Sequence, residues 1–398
     1  WRVVTGTEAL RRLRPQLAVN EGLARFSSNR RLQQSTANAW QRWAHHVATA
    51  AGLSGYVSVL ARGRRNAGMH SMARMASVGP EAPASKTENL AVYSLLLHQQ
   101  AREAVVARMQ KEGRKEGVLF FNGGEDAVRH DTDHEDVFRQ ESTFHYLFGV
   151  REPGYAGAID LAKGTTTLFA PRLPPEYALW MGRIKSLDRI KEHYGVSEVV
   201  YEEDVVSWFQ SNAPKKIYVQ RGENSDSGRE VMPAEFPDMR ESYDVDEEVL
   251  HDVVYQCRAR KNEEEIRLLR YVNRISSDAH LAMMRQAKPG MREYQLESMF
   301  AYYCHYNGGC RHLSYTPIAG SGPNAAVLHY GHAGAPNDRK MEDGDIVLCD
   351  MGSELYCYAS DITNSFPVSG TFTADQRIIF ETVAAMQSAV LGAMKPGV

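Results

Sequence analysis

Ile346-Val-Leu-Cys-Asp-Met-Gly-Ser-Glu-Leu-Tyr-Cys-Tyr-Ala-Ser-Asp-Ile362 sets two aspartates, Asp350 and Asp361, in β-prone apolar sequence. An unpaired carboxylate is costly to desolvate in such surroundings, so something must neutralise both. Two answers are open: a pair of salt bridges, or a divalent metal site. The separation of eleven residues is odd, so on one continuous strand the two side chains would face opposite ways. Gly352-Ser353 is a natural place for the chain to fold back and bring them together. A simple hairpin centred on Ser353 would instead set Asp350 opposite Tyr356, so the spacing permits convergence without demanding it.

The 398 residues around this stretch can bury a full core and suggest two domains. With 43% hydrophobic and 24% charged residues, the composition is that of a globular chain. No apolar run approaches the ~20 residues needed to cross a bilayer. Val47 to Ala61 is the longest candidate, and it contains Ser, Thr and Gly. Five cysteines, an odd number in a long chain, do not read as a disulfide framework. Cys349 and Cys357 flank the aspartates and read as buried reduced thiols, which points to a reducing, cytoplasmic compartment.

The net charge of −3 conceals a division. Residues 1–75 carry twelve Arg, no Lys and only Glu8 and Glu21, a balance of +10 that leaves −13 for the remainder. Three readings of this basic leader are open. It has the Arg-rich, acid-poor composition of an organelle transit peptide. A nucleic-acid-binding tail is a second reading, weakened by the lack of Lys and of any recognisable binding module. The third is translated upstream sequence without a fold, since Met69, Met72 and Met75 cluster where the composition becomes ordinary.

From Thr87 to Arg108 the periodicity predicts a helix, with Leu97, Ala101 and Val105 on one face. Val118–Phe121, Gly157–Asp160, Thr165–Phe169 and Ile217–Gln220 read as strands, and Pro174–Met181 and Ser186–Tyr194 as helices. The alternation predicts an α/β domain over residues 80–225. Gly222–Glu248 is rich in Asp, Glu, Ser, Gly and Pro and reads as linker, within a linker region of residues 222–258. A second domain, residues 259–398, opens on the helix start Asn262-Glu-Glu-Glu265. Further helices are expected over Glu293–Tyr306 and Ala374–Ala393. The helix exits Met284-Arg-Gln-Ala-Lys-Pro-Gly-Met291 and Leu391-Gly-Ala-Met-Lys-Pro-Gly-Val398 echo one another after 107 residues, which suggests a duplicated half-domain.

The chain contains no Gly-x-Ser-x-Gly elbow, no His-Glu-x-x-His helix and no phosphate loop. His130-Asp-Thr-Asp-His-Glu-Asp136 is dense in metal-binding residue types but reads as a solvated loop. Leu328-His329-Tyr330-Gly331-His332 places two histidines upstream of the aspartates. Either could be a satisfied core imidazole; near a carboxylate-bound metal, one could hydrogen-bond a developing oxyanion or hold substrate. Carboxylate and imidazole together suit Mn²⁺, Co²⁺ or Zn²⁺.

Phe138-Arg-Gln-Glu-Ser142, Ala170-Pro-Arg-Leu-Pro174, Arg311-His-Leu-Ser-Tyr315, Ala326-Val-Leu-His-Tyr-Gly-His-Ala-Gly-Ala-Pro-Asn-Asp338 and Ser360-Asp-Ile-Thr363 resemble eukaryotic prolidases, the Xaa-Pro dipeptidases of the pita-bread metallopeptidases. The likeness runs from about Asn89 to Val398, and residues 1 to about 70 do not share it. It implies a creatinase-like N-terminal α/β domain followed by part of a pita-bread (creatinase/aminopeptidase) catalytic domain. Asp350 and Asp361 match the family's two aspartate ligands, with Asp361 expected to bridge two divalent ions, Mn²⁺ first and Zn²⁺ or Co²⁺ as alternatives. His329 matches the histidine that contacts substrate and stabilises the tetrahedral intermediate, and Tyr315 a pocket tyrosine. His332 is expected to be structural or to sit behind the ligands.

The resemblance also implies hydrolysis of dipeptides ending in proline or hydroxyproline, within peptide turnover and proline recycling, by a homodimer without nucleic-acid or membrane partners. The family's remaining ligands, one histidine and two glutamates, are expected from a second half-domain not found before Val398. The 398 residues by themselves are therefore expected to be inactive. Aminopeptidase P, which acts on longer Xaa-Pro peptides, and a non-catalytic pita-bread protein-binding module are the alternatives.

Overall fold

The computed structural model describes residues 94–330 and 337–398. The basic leader, residues 1–75, lies outside the described residues. The N-terminal lobe is built on β1 (Val118–Asn122), β2 (Ala156–Asp160), β3 (Thr166–Ala170), β4 (Glu198–Tyr201), β5 (Ile217–Val219), the short pair β6 (Gly222–Glu223) and β7 (Glu230–Val231), and β8 (Val245–Asp246). Six of these form a mixed sheet in the order β4-β3-β2-β1-β5-β8. The β1–β2 and β2–β3 pairs are antiparallel and the outer pairs parallel.

The run Val-Leu-Phe-Phe in β1 is apolar at every position because both faces of the sheet are covered. Leu119 and Phe121 pack with Val105 and Met109 of the helix Leu95–Lys111 and with Phe144 and Phe148 of the helix Ser142–Phe148. Val118 and Phe120 face the opposite way, toward Phe209 and Phe236. The helix Ser142–Phe148 was not expected from periodicity. Every residue after Ser142 is buried, so it shows no polar face to read.

The expected linker is a correction. Residues 222–258 are part of the N-terminal lobe: β8 joins the sheet edge beside β5, Phe236 and Met239 fill one core, and Leu250, Val253 and Val254 of the helix Leu250–Ala259 fill the other. The polar composition that suggested a linker belongs mainly to the β6–β7 turn, where the Asn224 side chain accepts from the amides of Asp226 and Ser227.

The second lobe begins at the helix Glu263–Gln286, started by a capping box between Asn262 and Glu265. With the helix Glu293–Gly308 it covers two three-stranded sheets. These contain β9 (His312–Leu313), β10 (Ile318–Ser321), β11 (Ile346–Asp350), β12 (Ser353–Leu355), β13 (Tyr358–Ala359) and β14 (Thr363–Pro367), in the orders β10-β11-β14 and β13-β12-β9. The 107-residue echo extends to structure. The helix Ala374–Ala393 also opens on a capping box, and the glycines of the two Lys-Pro-Gly exits, Gly290 and Gly397, take left-handed φ of 92° and 88°. The earlier helix buries Val272, Ala279 and Met283 while the later one buries no residue.

Candidate metal centre

The two aspartates meet because of hairpin register. Asp350 lies opposite Thr363 across β11 and β14, and Leu355 lies opposite Tyr358 across β12 and β13. Both ladders share one register, so a single long hairpin turns at Tyr356-Cys357, whose φ of 53° and 62° suit the left-handed central positions of a tight hairpin turn. The fold-back is therefore not at Gly352-Ser353. Gly352 serves close approach instead: a Cβ there would lie 1.9 Å from the Ser360 carbonyl oxygen. With the turn placed later, Asp361 sits two residues before Thr363 and is the diagonal neighbour of Asp350 on the same face. The odd separation is what a two-residue turn requires to bring side chains onto one face.

The phenol of Tyr315 points at both carboxylates, 2.5 Å from Asp350 Oδ1 and 3.1 Å from Asp361 Oδ1. Tyr315 is placed by the residue before it. Ser314 donates its amide to the Gly352 carbonyl at 3.0 Å and its hydroxyl to the Ser353 carbonyl at 2.9 Å. Burial first, and then the two adjacent carboxylates, push the Tyr315 pKa up, so the phenol stays protonated as the donor. Along β11 the core-facing positions are Val347 and Cys349, while the aspartate face opens outward; Asp350 is half-buried and Asp361 exposed. Neither carboxylate has an ion-pair partner among the described residues, so the salt-bridge reading finds no support there. Two converging oxygen donors, with no cationic side chain beside them among the described residues, fit a divalent ion of the oxygen-preferring kind. Among the described residues no group of three or more His, Cys, Asp or Glu side chains converges, so the pair offers a share of a ligand set.

Beneath the pair, the hairpin is held by side chains that sequence reasoning did not single out. Ser276 Oγ lies 2.7 Å from Ser353 Oγ and 2.8 Å from Ser360 Oγ, all three buried. One turn further along the same helix, His280 Nε2 lies 2.9 Å from the Met351 carbonyl oxygen. Burial lowers the His280 pKa, against the Met351 backbone and the Asp350 charge, so the ring is neutral and Nε2 carries the proton. Its Nδ1 is buried with no partner among the described residues, a cost of about 1–3 kcal/mol. Two polar residues four apart on an otherwise apolar helix stripe were the available signal.

His329 is exposed on the turn at Leu328–Tyr330 and does not join the carboxylates as a third donor. Its neighbour Tyr330 donates to Glu293 Oε2 at 2.7 Å. The buried Glu293 carboxylate also accepts from Ser321 and from the Arg339 amide, anchoring this loop on both sides. His332 lies outside the described residues. The loop His130–Asp136 is exposed throughout.

The hairpin tip reaches the N-terminal lobe. Buried Glu354 receives Arg139 through two nitrogens, each at 2.9 Å, and the Tyr356 ring stacks on His145 at 6.3 Å. All five cysteines are free; burial raises the Cys349 pKa and pushes that of Cys357 up to about 12. No helix among the described residues is long and apolar enough to cross a membrane.

Comparison with known proteins agrees with this architecture. Residues 98–218 match the aminopeptidase P N-terminal domain and residues 267–398 match metallopeptidase family M24. The chain is 49% identical to the Xaa-Pro dipeptidase of Pongo abelii and 48% identical to that of Homo sapiens, each over 75% of this chain and 60% of the relative. It is 33% identical to a probable Xaa-Pro aminopeptidase of Talaromyces marneffei over 75% of this chain and 63% of the relative. The chain thus spans about 60% of the length of the dipeptidases it matches. Among solved structures, zinc-substituted Escherichia coli aminopeptidase P in complex with product superposes with a TM-score of 0.64 at 28% identity, over 76% of this chain and 69% of that one. Pseudomonas aeruginosa aminopeptidase PepP gives a TM-score of 0.65 at 27% identity, with the same coverage. Two domain matches in the order of the two lobes, near-half identity to Xaa-Pro dipeptidases and the shared pita-bread architecture agree: residues 267–398 form a metallopeptidase family M24 domain, and the chain is similar to the prolidase-like members of that family.

Proposed function

We propose that the whole protein hydrolyses Xaa-Pro dipeptides, with Asp350 and Asp361 holding divalent metal, Mn²⁺ first. The observation that carries this reading is the convergence of both carboxylates on the Tyr315 phenol, with no cationic side chain among the described residues to neutralise them. The bond at issue is a tertiary amide whose ring fixes φ and which has no N–H to recognise. Divalent ions held by this pair would polarise the amide carbonyl and lower the pKa of water toward neutrality. In the same reading, Tyr315 keeps the two carboxylates together, and His329 donates a hydrogen bond to the oxygen that becomes negative as the amide is attacked. Homodimerisation belongs to the same proposal and rests on the resemblance alone, and a cytoplasmic location rests on the free cysteines.

The dipeptidase reading is favoured over aminopeptidase P by the higher identity to dipeptidases, although the structural neighbours named above are aminopeptidases P. Comparing Mn²⁺-dependent release of proline from Gly-Pro with cleavage of a tetrapeptide carrying proline second tests the choice. Gly-Pro turnover with little tetrapeptide cleavage is expected. The reverse preference would give the aminopeptidase assignment, and no turnover by folded, Mn²⁺-supplied protein would leave a protein-binding role.

A further inference from the structure

His280 lies in a plane of the fold that the hydrolytic chemistry does not use. It is 1% exposed, its ring is edge-on to Phe300 with centroids 5.0 Å apart, and it reaches the hairpin at Met351, the residue that follows Asp350. This is the level at which the ladder between β11 and β14 gives way. Met351 donates its amide to Ile362, the residue that follows Asp361, and beyond that point serine hydroxyls take over part of the bonding at Ser353. The helix Glu263–Gln286 thus touches the hairpin at its break through Ser276 and His280. The imidazole keeps its Nδ1 buried and without a partner among the described residues to do so, whereas a leucine would remove that cost but leave the Met351 carbonyl without this donor.

We propose that His280 is a positioning residue: its Nε2–H bond to the Met351 carbonyl fixes the hairpin backbone between Asp350 and Asp361 and so sets the spacing of the two carboxylates. The inference rests on the metal reading given under Proposed function. His280 touches neither carboxylate and is no ligand. Its effect on the ion is through the Met351–Gly352 peptide, which begins one residue beyond Asp350.

The experiment compares wild type, His280→Leu and His280→Gln in the whole protein, measuring Mn²⁺ affinity by calorimetry, Gly-Pro turnover and the melting temperature without metal. Glutamine offers an Nε2 donor at the same reach, and leucine offers none. His280→Leu is expected to weaken Mn²⁺ binding and turnover ~10–100-fold while the metal-free melting temperature stays level, one orphaned buried atom being exchanged for another. His280→Gln is expected to recover Mn²⁺ affinity to within ~3-fold of wild type, since the donor is restored. Unchanged Mn²⁺ affinity in His280→Leu would overturn the proposal. So would a loss that tracks a fall in melting temperature and is not recovered by glutamine. Wild-type protein that binds no Mn²⁺ would remove the metal reading and the proposal with it, whereas a binding wild type matched by His280→Leu would remove the proposal alone.

Discussion

Tyr315 faces two carboxylate oxygens with one proton, and that proton is what holds like charges together before any cation arrives. Tyr315→Phe removes the donor and leaves the charges to repel across the diagonal of the hairpin. The metal-free protein is expected to lose about 1–2 kcal/mol, discounted for the exposure of Asp361, and Mn²⁺ should restore part of it. Melting curves with and without Mn²⁺ check this, and equal curves for both proteins would count against the shared bond. At His329, replacement by alanine should leave Mn²⁺ content unchanged while cutting turnover by ~10²–10³. Lost metal would instead make His329 a ligand. The aspartates were legible in the sequence because charges stand out in an apolar strand. His280 and Ser276 were not, because a polar residue on a helix stripe more often satisfies itself locally than pins a distant strand.

The hairpin from Ile346 to Pro367 was legible as strands but not as a register. A tight hairpin turn usually announces itself with Asn-Gly or Asp-Gly; here Tyr356-Cys357 takes that conformation, so Gly352 drew the eye as the turn. Gly352→Ala tests the role the structure gives it. The new Cβ would meet the Ser360 carbonyl, so the strands must part; the cost should reach at least about 3 kcal/mol. Chemical denaturation measures it, and a change under 1 kcal/mol, roughly that of an ordinary surface substitution, would contradict the close approach. The elements with clean periodicity, such as Glu263–Gln286 with its capping box, were readable in type and extent. The helix Ser142–Phe148, buried at every position after the first, was not, because burial on all sides erases the pattern that periodicity needs.

Across the molecule, the hairpin that carries the aspartates is also the strap between lobes, since its tip ends on Arg139 and His145. Next to that contact, His98 is wholly buried and its pKa is lowered to about 4 by desolvation first. The sign follows from the unfolded value of 6.5. Above 6.5 neither state binds the proton and the stability is fully present. Between 6.5 and about 4 only the unfolded chain binds it, so stability falls as the pH falls, by roughly 3 kcal/mol over the window. His145, also held neutral by burial, adds in the same direction. His98→Asn retains a donor for the Tyr146 carbonyl without the titration, and its melting temperature should vary less between pH 7 and pH 4.5. An unchanged pH dependence would assign the acid sensitivity elsewhere. At this scale the two-lobe plan was readable from chain length and the alternation of strands and helices, while the strap was not, because Arg139 and Glu354 are 215 residues apart.

The central claim is that Asp350 and Asp361 together form part of a divalent cation site. Titration of Mn²⁺ into the whole protein, followed by calorimetry for wild type, Asp350→Asn and Asp361→Asn, tests it most directly, with circular dichroism to verify that each variant is folded. The account predicts saturable binding by wild type that is lost or weakened ~100-fold or more in both folded variants, because each removes a charged oxygen donor and keeps its shape. Wild-type affinity retained in either variant would contradict it.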